Sequence, residues 1–196
     1  MRQAESDYWD QEAKDRIFDG KNISENVYKR QEIVRLLLES DFIDQRALEI
    51  GVGTGVSMAA VRIAIVGRMQ YMCTDVSKTF CDFVEKTWAF AACHTDILNL
   101  PEIEGGFTRV VCLDSLEHVN PLDRVEGYKE ISRVMAEHGK VLINMPVEET
   151  QHNLEFDHPF SVQDIRILAD TIGGVITRYE PYTTRVARYV WVEVTR

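Results

Sequence analysis

Glu49-Ile50-Gly51-Val52-Gly53-Thr54-Gly55 gathers the residue types from which a ligand site is built. An apolar run carries an acid near its end and breaks into three alternating glycines before a helical pattern begins. Glycine tolerates positive φ and has no Cβ, so backbone there can come close to a bound molecule. Such a turn also presents free N–H groups at a helix start, where negative groups are favoured. About 20 residues further on, the apolar run 69–74 closes on a second acid, Asp75. A carboxylate there is placed to accept hydrogen bonds from ribose hydroxyls, so the expectation is a nucleoside-binding site. A dinucleotide fingerprint would need a further glycine where this chain has Val56, which disfavours an NAD-dependent oxidoreductase.

The elements that must position these residues alternate beyond residue 46. Strands are expected at 46–50, 69–74, 90–93, 107–113 and 140–145. Between them the pattern predicts helices at 54–66, 78–88 (with Ser77 as N-cap) and 121–137, the last ended by Gly139. Repeated β-then-α order implies a parallel sheet covered by helices on both faces. The end of the chain departs from that rhythm. A helix at 161–172 stops at Gly173-Gly174, and two strands follow near 175–179 and 188–194. Their linker, 180–187, is too short for a helical crossover, so they should be antiparallel neighbours. Residues 1–45 read as helical and mostly polar, with an amphipathic stretch over 26–40. There Tyr8, Trp9, Phe18 and Tyr28 either close a site from above or dock the helices on the sheet.

The pattern Glu-x-Gly-x-Gly-x-Gly resembles the first motif of class I S-adenosylmethionine-dependent methyltransferases, and a terminal antiparallel hairpin on a parallel sheet closes that fold. The resemblance covers about residues 46–196. It implies an α/β, doubly wound, seven-stranded and mostly parallel sheet with a C-terminal antiparallel hairpin and an N-terminal helical lid. All 196 residues would then form one domain, with 1–45 as the lid and 46–196 as the Rossmann-like core. It further implies S-adenosyl-L-methionine as cofactor. Gly51, Gly53 and Gly55 would face its methionine and ribose portion, and Glu49 its amino group. Asp75 would take the ribose, Val76 the adenine ring, and Asp96 (followed by Ile97) the adenine amino group. The plainer alternative for Asp96 is a cap on the turn before Ile97.

One further match follows the strand 107–113: Leu113-Asp114-Ser115-Leu116-Glu117-His118-Val119. Ligands of open α/β sheets sit at carboxyl strand ends, so this segment should face the transfer site. His118, with an unperturbed pKa near 6.5, suits proton removal from an acceptor hydroxyl or amine. Equally, Glu-His-Val recurs in the superfamily in a positional role. His158, in the loop 146–160, is the second candidate, since loops at this end of the sheet choose the substrate. Asp114, Glu117, His118 and His158 together resemble the metal cluster of RNA 2′-O- and catechol-type O-methyltransferases, which would hold Mg²⁺ or Mn²⁺. Those enzymes place glutamate where this chain has Asp114, so no metal is assigned.

Composition narrows the partners. Thirty-two acidic against 22 basic residues give a formal net charge of −10, which opposes phosphate backbones and disfavours nucleic acid as substrate. Arg178, Arg185 and Arg188 read as solvated strand faces. Cys73, Cys81, Cys93 and Cys112 lack C-x-x-C spacing and mostly fall in apolar runs, as small buried hydrophobes do. No signal-peptide pattern or membrane-length apolar run is present, so the expected compartment is the cytoplasm, away from any membrane. The expected function is methyl transfer to an O, N or C atom of a small-molecule acceptor. A metal-assisted O-methyltransferase and a catalytically silent S-adenosylmethionine-binding protein are the alternatives. With no added substrate domain, the acceptor pocket must come from the loop 146–160, the lid and, in a homodimer, a partner subunit.

Overall fold

The computed structural model describes residues 3–18, 27–65, 67–147, 158, 160–184 and 188–196. The chain divides into two compact units, 1–96 and 97–196. Among the described residues, seven strands follow the order β3-β2-β1-β4-β5-β7-β6.

The first unit runs α1 (Gln3–Phe18), α2 (Val27–Glu39), β1 (Gln45–Ile50), α3 (Val56–Ala64), β2 (Met69–Asp75), α4 (Lys78–Trp88) and β3 (Ala91–His94). β1 pairs parallel with β2, Glu49 opposite Cys73, and β2 pairs parallel with β3, Asp75 opposite His94. The last four residues of β1 are all buried, as befits a parallel strand covered on both faces. Leu36, Leu37, Phe42, Leu48 and Met58 are fully buried in this unit. α4 starts as expected, its Ser77 hydroxyl accepting from the Phe80 N–H.

The second unit runs β4 (Phe107–Leu113), a short 3-10 turn (Leu116–His118), α5 (Arg124–Val134), β5 (Met135–Pro146), α6 (Val162–Ile172), β6 (Val175–Thr183) and β7 (Arg188–Thr195). β4 and β5 pair parallel, whereas β7 pairs antiparallel with both β5 and β6. Phe107, Tyr128, Ile131, Leu142, Ile143 and Trp191 form its fully buried interior. α6 begins in a reciprocal Ser161–Asp164 capping box and ends on Gly173 at φ 69.

The seven-stranded, mostly parallel sheet and its terminal hairpin agree with the sequence reading; one cysteine and several boundaries do not, among them the starts of α3 (Val56, not 54) and α5 (Arg124, not 121). α5 ends at Val134, not 137, because Met135 turns extended and buries its side chain. β5 therefore starts before Gly139, and residues 136–139 bulge out where the partners of Phe107 and Arg109 jump from Met135 to Lys140. Gly139 fits that bulge for lack of space: a Cβ would lie 3.0 Å from the Ala136 carbonyl oxygen. β6 extends to Thr183 through Pro181, which an edge strand accommodates. Cys93 lies exposed on the edge strand β3, while Cys73, Cys81 and Cys112 are buried; all four are free thiols.

Candidate functional site

The glycine turn is built around the end of β2. The Gly51 and Val52 N–H groups both donate to the Thr74 carbonyl, at 2.9 and 3.0 Å. The Trp88 indole donates to the Thr54 carbonyl at 2.9 Å, tying the turn to α4. All three glycines have positive φ, but they do different work. A Cβ on Gly55 would meet Val84 at 3.1 Å and Trp88 at 3.3 Å, so a side chain there would press on α4 in addition to straining the left-handed backbone. A Cβ on Gly53 would meet nothing within 4 Å. The turn is open there, and its backbone is exposed to whatever approaches.

Asp75 locks this turn. Its Oδ2 accepts from the Gly53 N–H at 2.9 Å and its Oδ1 from the Ser77 N–H at 2.8 Å. Each oxygen has a second lone-pair site, so a pair of vicinal hydroxyls fits this carboxylate. Burial pushes the Asp75 carboxyl up to about 6, against the pull of those two N–H groups. Glu49, also buried, accepts from the Tyr71 hydroxyl. Burial first, and the Asp75 charge after it, raise the Glu49 carboxyl to about 8 against that hydrogen bond. Two carboxyls that are costly to ionise when alone suit a ligand that brings positive charge and hydroxyl donors. The residues present therefore fit the nucleoside and the amino group expected from the sequence.

Val76 follows directly, half-buried, with its carbonyl accepting from Ser6 Oγ at 2.9 Å. The Thr95 N–H donates to the Asp75 carbonyl at 3.0 Å, which brings Asp96 next in chain to the same strand end. Ile97 is buried against α5, where a Cβ on Gly127 would lie 2.9 Å from Ile97 Cδ1.

In the second unit, Leu113 ends β4 opposite Asn144, and Asp114 turns the chain at φ 51. A left-handed, non-glycine residue at a strand end is held by its surroundings. The Asp114 N–H donates to the Asn144 carbonyl at 2.9 Å, and Asn144 Nδ2 donates to Asp114 Oδ1 at 2.9 Å. The Tyr182 hydroxyl donates to Asn144 Oδ1, fixing the amide. Beyond the turn, the His158 N–H donates to the Glu117 carbonyl at 2.9 Å. The backbone thus brings the His158 position to the Glu117-His118 segment. Arg124, 4% exposed, clamps both: Nε donates to the Val119 carbonyl at 3.1 Å and Nη2 to the His158 carbonyl at 3.4 Å. It also pairs with Asp164 at 3.0 Å and lies 4.9 Å over the Phe160 ring.

Tyr71, Asn144, Tyr182 and Arg124 were not anticipated from sequence. Strand alternation pointed to Tyr71, two residues before the Cys73 that faces Glu49. Asn144 is a lone amide in the apolar run 141–145, which signals a hydrogen-bond network. Trp9 is buried and Tyr8 half-buried, the two rings meeting edge-on at 5.1 Å; the side chains of Phe18 and Tyr28 lie outside the described residues. Arg178 is not a free solvated face, since it pairs with Glu180 and Glu193; Arg185 lies outside the described residues. Among the described residues, no group of three or more His, Cys, Asp or Glu is placed to share a metal ion. No described helix is long and apolar enough to cross a membrane. A surface hollow of about 330 Å³ lined by residues 102–106 and 133–135 contains none of the expected site residues.

Residues 47–139 match the methyltransferase domain family. N-methyltransferase NodS from Bradyrhizobium japonicum WM9, in complex with S-adenosyl-L-homocysteine, is similar in structure, with TM-score 0.77 at 13% identity over 98% of each chain. Magnesium protoporphyrin IX methyltransferase from Synechocystis PCC 6803, with bound S-adenosylmethionine, gives TM-score 0.74 at 17% identity, over 99% of this chain and 96% of that one. The 1,6-didemethyltoxoflavin-N1-methyltransferase of Burkholderia thailandensis gives 0.74 at 11% identity, over 100% and 90%. No curated protein matches by sequence. The fold is that of the class I S-adenosylmethionine-dependent methyltransferases, and the domain match covers residues 47–139, a little under half of the chain.

Proposed function

We propose that this chain is an S-adenosylmethionine-dependent methyltransferase, which binds its cofactor on the glycine turn and Asp75 and methylates a small molecule. The observation that carries this reading is Asp75, buried and bonded to the Gly53 and Ser77 N–H groups beside an open turn. In this reading Asp75 takes the ribose hydroxyls, Glu49 the methionine amino group, and Gly51, Gly53 and Gly55 the space between. Val76 and Asp96 read the adenine, while Ile97 and Leu113 supply apolar lining. The bound cofactor supplies a methyl on a sulfonium, already activated for in-line displacement by an acceptor O, N or C atom.

The chain's own task is then alignment and exclusion of water. His118 removes a proton where the acceptor is a hydroxyl or an ammonium, and His158 orients the acceptor beside it. A small acceptor is supported by two of the structural neighbours, whose names give magnesium protoporphyrin IX and 1,6-didemethyltoxoflavin, and by the net charge of −10. Residues 1–196 are read as one catalytic domain with 1–45 as its lid, in the cytoplasm, where free thiols persist. A homodimer would complete the acceptor pocket, which light scattering of the purified protein tests. Calorimetric titration with S-adenosylmethionine and S-adenosylhomocysteine tests the central reading, with micromolar binding expected. Absence of binding to well-folded protein overturns it.

A further inference from the structure

We infer that Asp10, on the N-terminal helix α1, is a positioning residue of the cofactor site that acts through Ser77 on Asp75. Asp10 Oδ1 accepts from the Ser77 hydroxyl at 2.6 Å and from the Thr79 N–H at 2.9 Å. Both donors stand at the start of α4, so Asp10 caps that helix from another element. The Ser77 hydroxyl in turn accepts from the Phe80 N–H at 3.2 Å, which leaves its proton for Asp10 and fixes its rotor. Ser77 is fully buried, and its N–H donates to Asp75 Oδ1 at 2.8 Å. The other Asp75 oxygen accepts from the Gly53 N–H. One unbroken chain of hydrogen bonds thus runs from α1 through Ser77 and Asp75 to the open glycine of the turn.

Among the described residues of α1, Trp9 and Ala13 are the buried apolar side chains. Another polar anchor of α1, Ser6 Oγ to the Val76 carbonyl, bypasses Asp75. Burial works to raise the Asp10 carboxyl, but the Ser77 and Thr79 bonds outweigh it and keep the group below its ordinary value. Asp10 is therefore a charged acceptor at neutral pH, the stronger kind of partner for a hydroxyl. Removing it frees the Ser77 rotor and the first turn of α4, and with them the angle at which Asp75 meets a ribose.

The inference rests on Asp75 being the ribose carboxylate, and a double-mutant cycle read by calorimetry with S-adenosylhomocysteine tests both separately. Asp10→Ala is expected to weaken binding by about fivefold or more in the wild-type background. In an Asp75→Asn background the same change should add less than about twofold, because an amide has one acceptor oxygen and cannot link the Ser77 N–H to the Gly53 N–H. Ser6→Ala removes the anchor that bypasses Asp75 and should also stay within about twofold. Circular dichroism and melting temperature confirm that each variant is folded at the titration temperature. An unchanged affinity in Asp10→Ala overturns the inference. So does an equal loss in the Asp75→Asn background, or a loss in Ser6→Ala as large as that in Asp10→Ala, since either marks general docking of α1. Failure of the wild-type protein to bind S-adenosylhomocysteine overturns the cofactor reading itself and the inference with it.

Discussion

Asp75 and Asp114 both stand at carboxyl ends of strands, yet they are held by different means. Asp75 is held by main chain, through the N–H groups of Gly53 and Ser77. The side chain of Asp114 is held by another side chain, Asn144, which Tyr182 fixes in its turn. Further along the same segment, the Val119 carbonyl is held by the guanidinium of Arg124. A backbone cradle depends on few residue identities, mainly glycines and one acid. A side-chain network depends on every member, so each substitution re-aims the loop. The first suits a part that must recognise one constant ligand, and the second a part whose ligand differs between relatives.

The largest expected effect breaks the comparison at its stronger end. Asp75→Ala removes the proposed ribose acceptor and leaves the Gly53 and Ser77 N–H groups without that partner. Affinity for S-adenosylhomocysteine should fall by about 100-fold, the scale of about 3 kcal/mol for lost charged hydrogen bonds. His118→Ala should leave that affinity within about threefold and act on turnover instead. Calorimetry on both variants decides: an equal loss of affinity in the two would erase the division of labour between the units.

The same contrast explains what could be read from sequence. The turn was legible because its requirements are local: alternating glycines, an acid before them and another at the next strand end. The parallel sheet and terminal hairpin were legible from apolar runs and from the shortness of the last linker, though not the order of the strands. Tyr182 and Arg124 were not, because their partners are distant in sequence and nothing local distinguishes them. Asp10 was hidden for a related reason, being one of several acids on a helix whose sequence shows no preferred face. The end of α5 was misplaced because Gly139 reads as a helix stop, while burial of Met135 had already ended the helix.

Arg124→Met attacks the clamp in the second unit. It removes the ion pair with Asp164 and the donors to the Val119 and His158 carbonyls. Ser161 still bonds Asp164, which softens the loss to about 2 kcal/mol, or about 4–8 °C in melting temperature. Calorimetry well below that melting point should find S-adenosylhomocysteine affinity within about twofold of wild type. A large loss of affinity would mean that the clamp serves the cofactor as well.

A pH series sharpens the first unit. Glu49 and Asp75 both have raised carboxyls, at about 8 and about 6. The folded protein therefore binds more protons than the unfolded chain above the ordinary carboxylate range. This stabilisation is complete at pH below that range and is lost as pH rises through about 6 and then about 8. Melting of the ligand-free protein should fall by about 3–5 °C across the upper step, the one that belongs to Glu49. Glu49→Gln should flatten that step, whereas Arg124→Met should keep it on a lower curve. A Glu49→Gln curve parallel to wild type would show that the raised carboxyl is not Glu49.

The smallest change tests whether the network around Asp114 is aimed at the acceptor or only at the sheet. Tyr182→Phe removes the hydroxyl that fixes Asn144 and keeps the ring that stacks on Tyr189 at 5.7 Å. The expected loss of stability is about 1 kcal/mol, a single hydrogen bond, and cofactor affinity should not move. Freed from Tyr182, the Asn144 amide no longer holds a single orientation toward Asp114, whose left-handed backbone depends on its surroundings. Once an acceptor has been found by screening, its KM should therefore rise by about threefold or more in Tyr182→Phe, with KM for S-adenosylmethionine unchanged. An unchanged acceptor KM together with the 1 kcal/mol loss would make the network a brace for the strands β5 and β7. The difference between the two aspartates would then concern how strand ends are built, and acceptor choice would lie with the loop that carries His158.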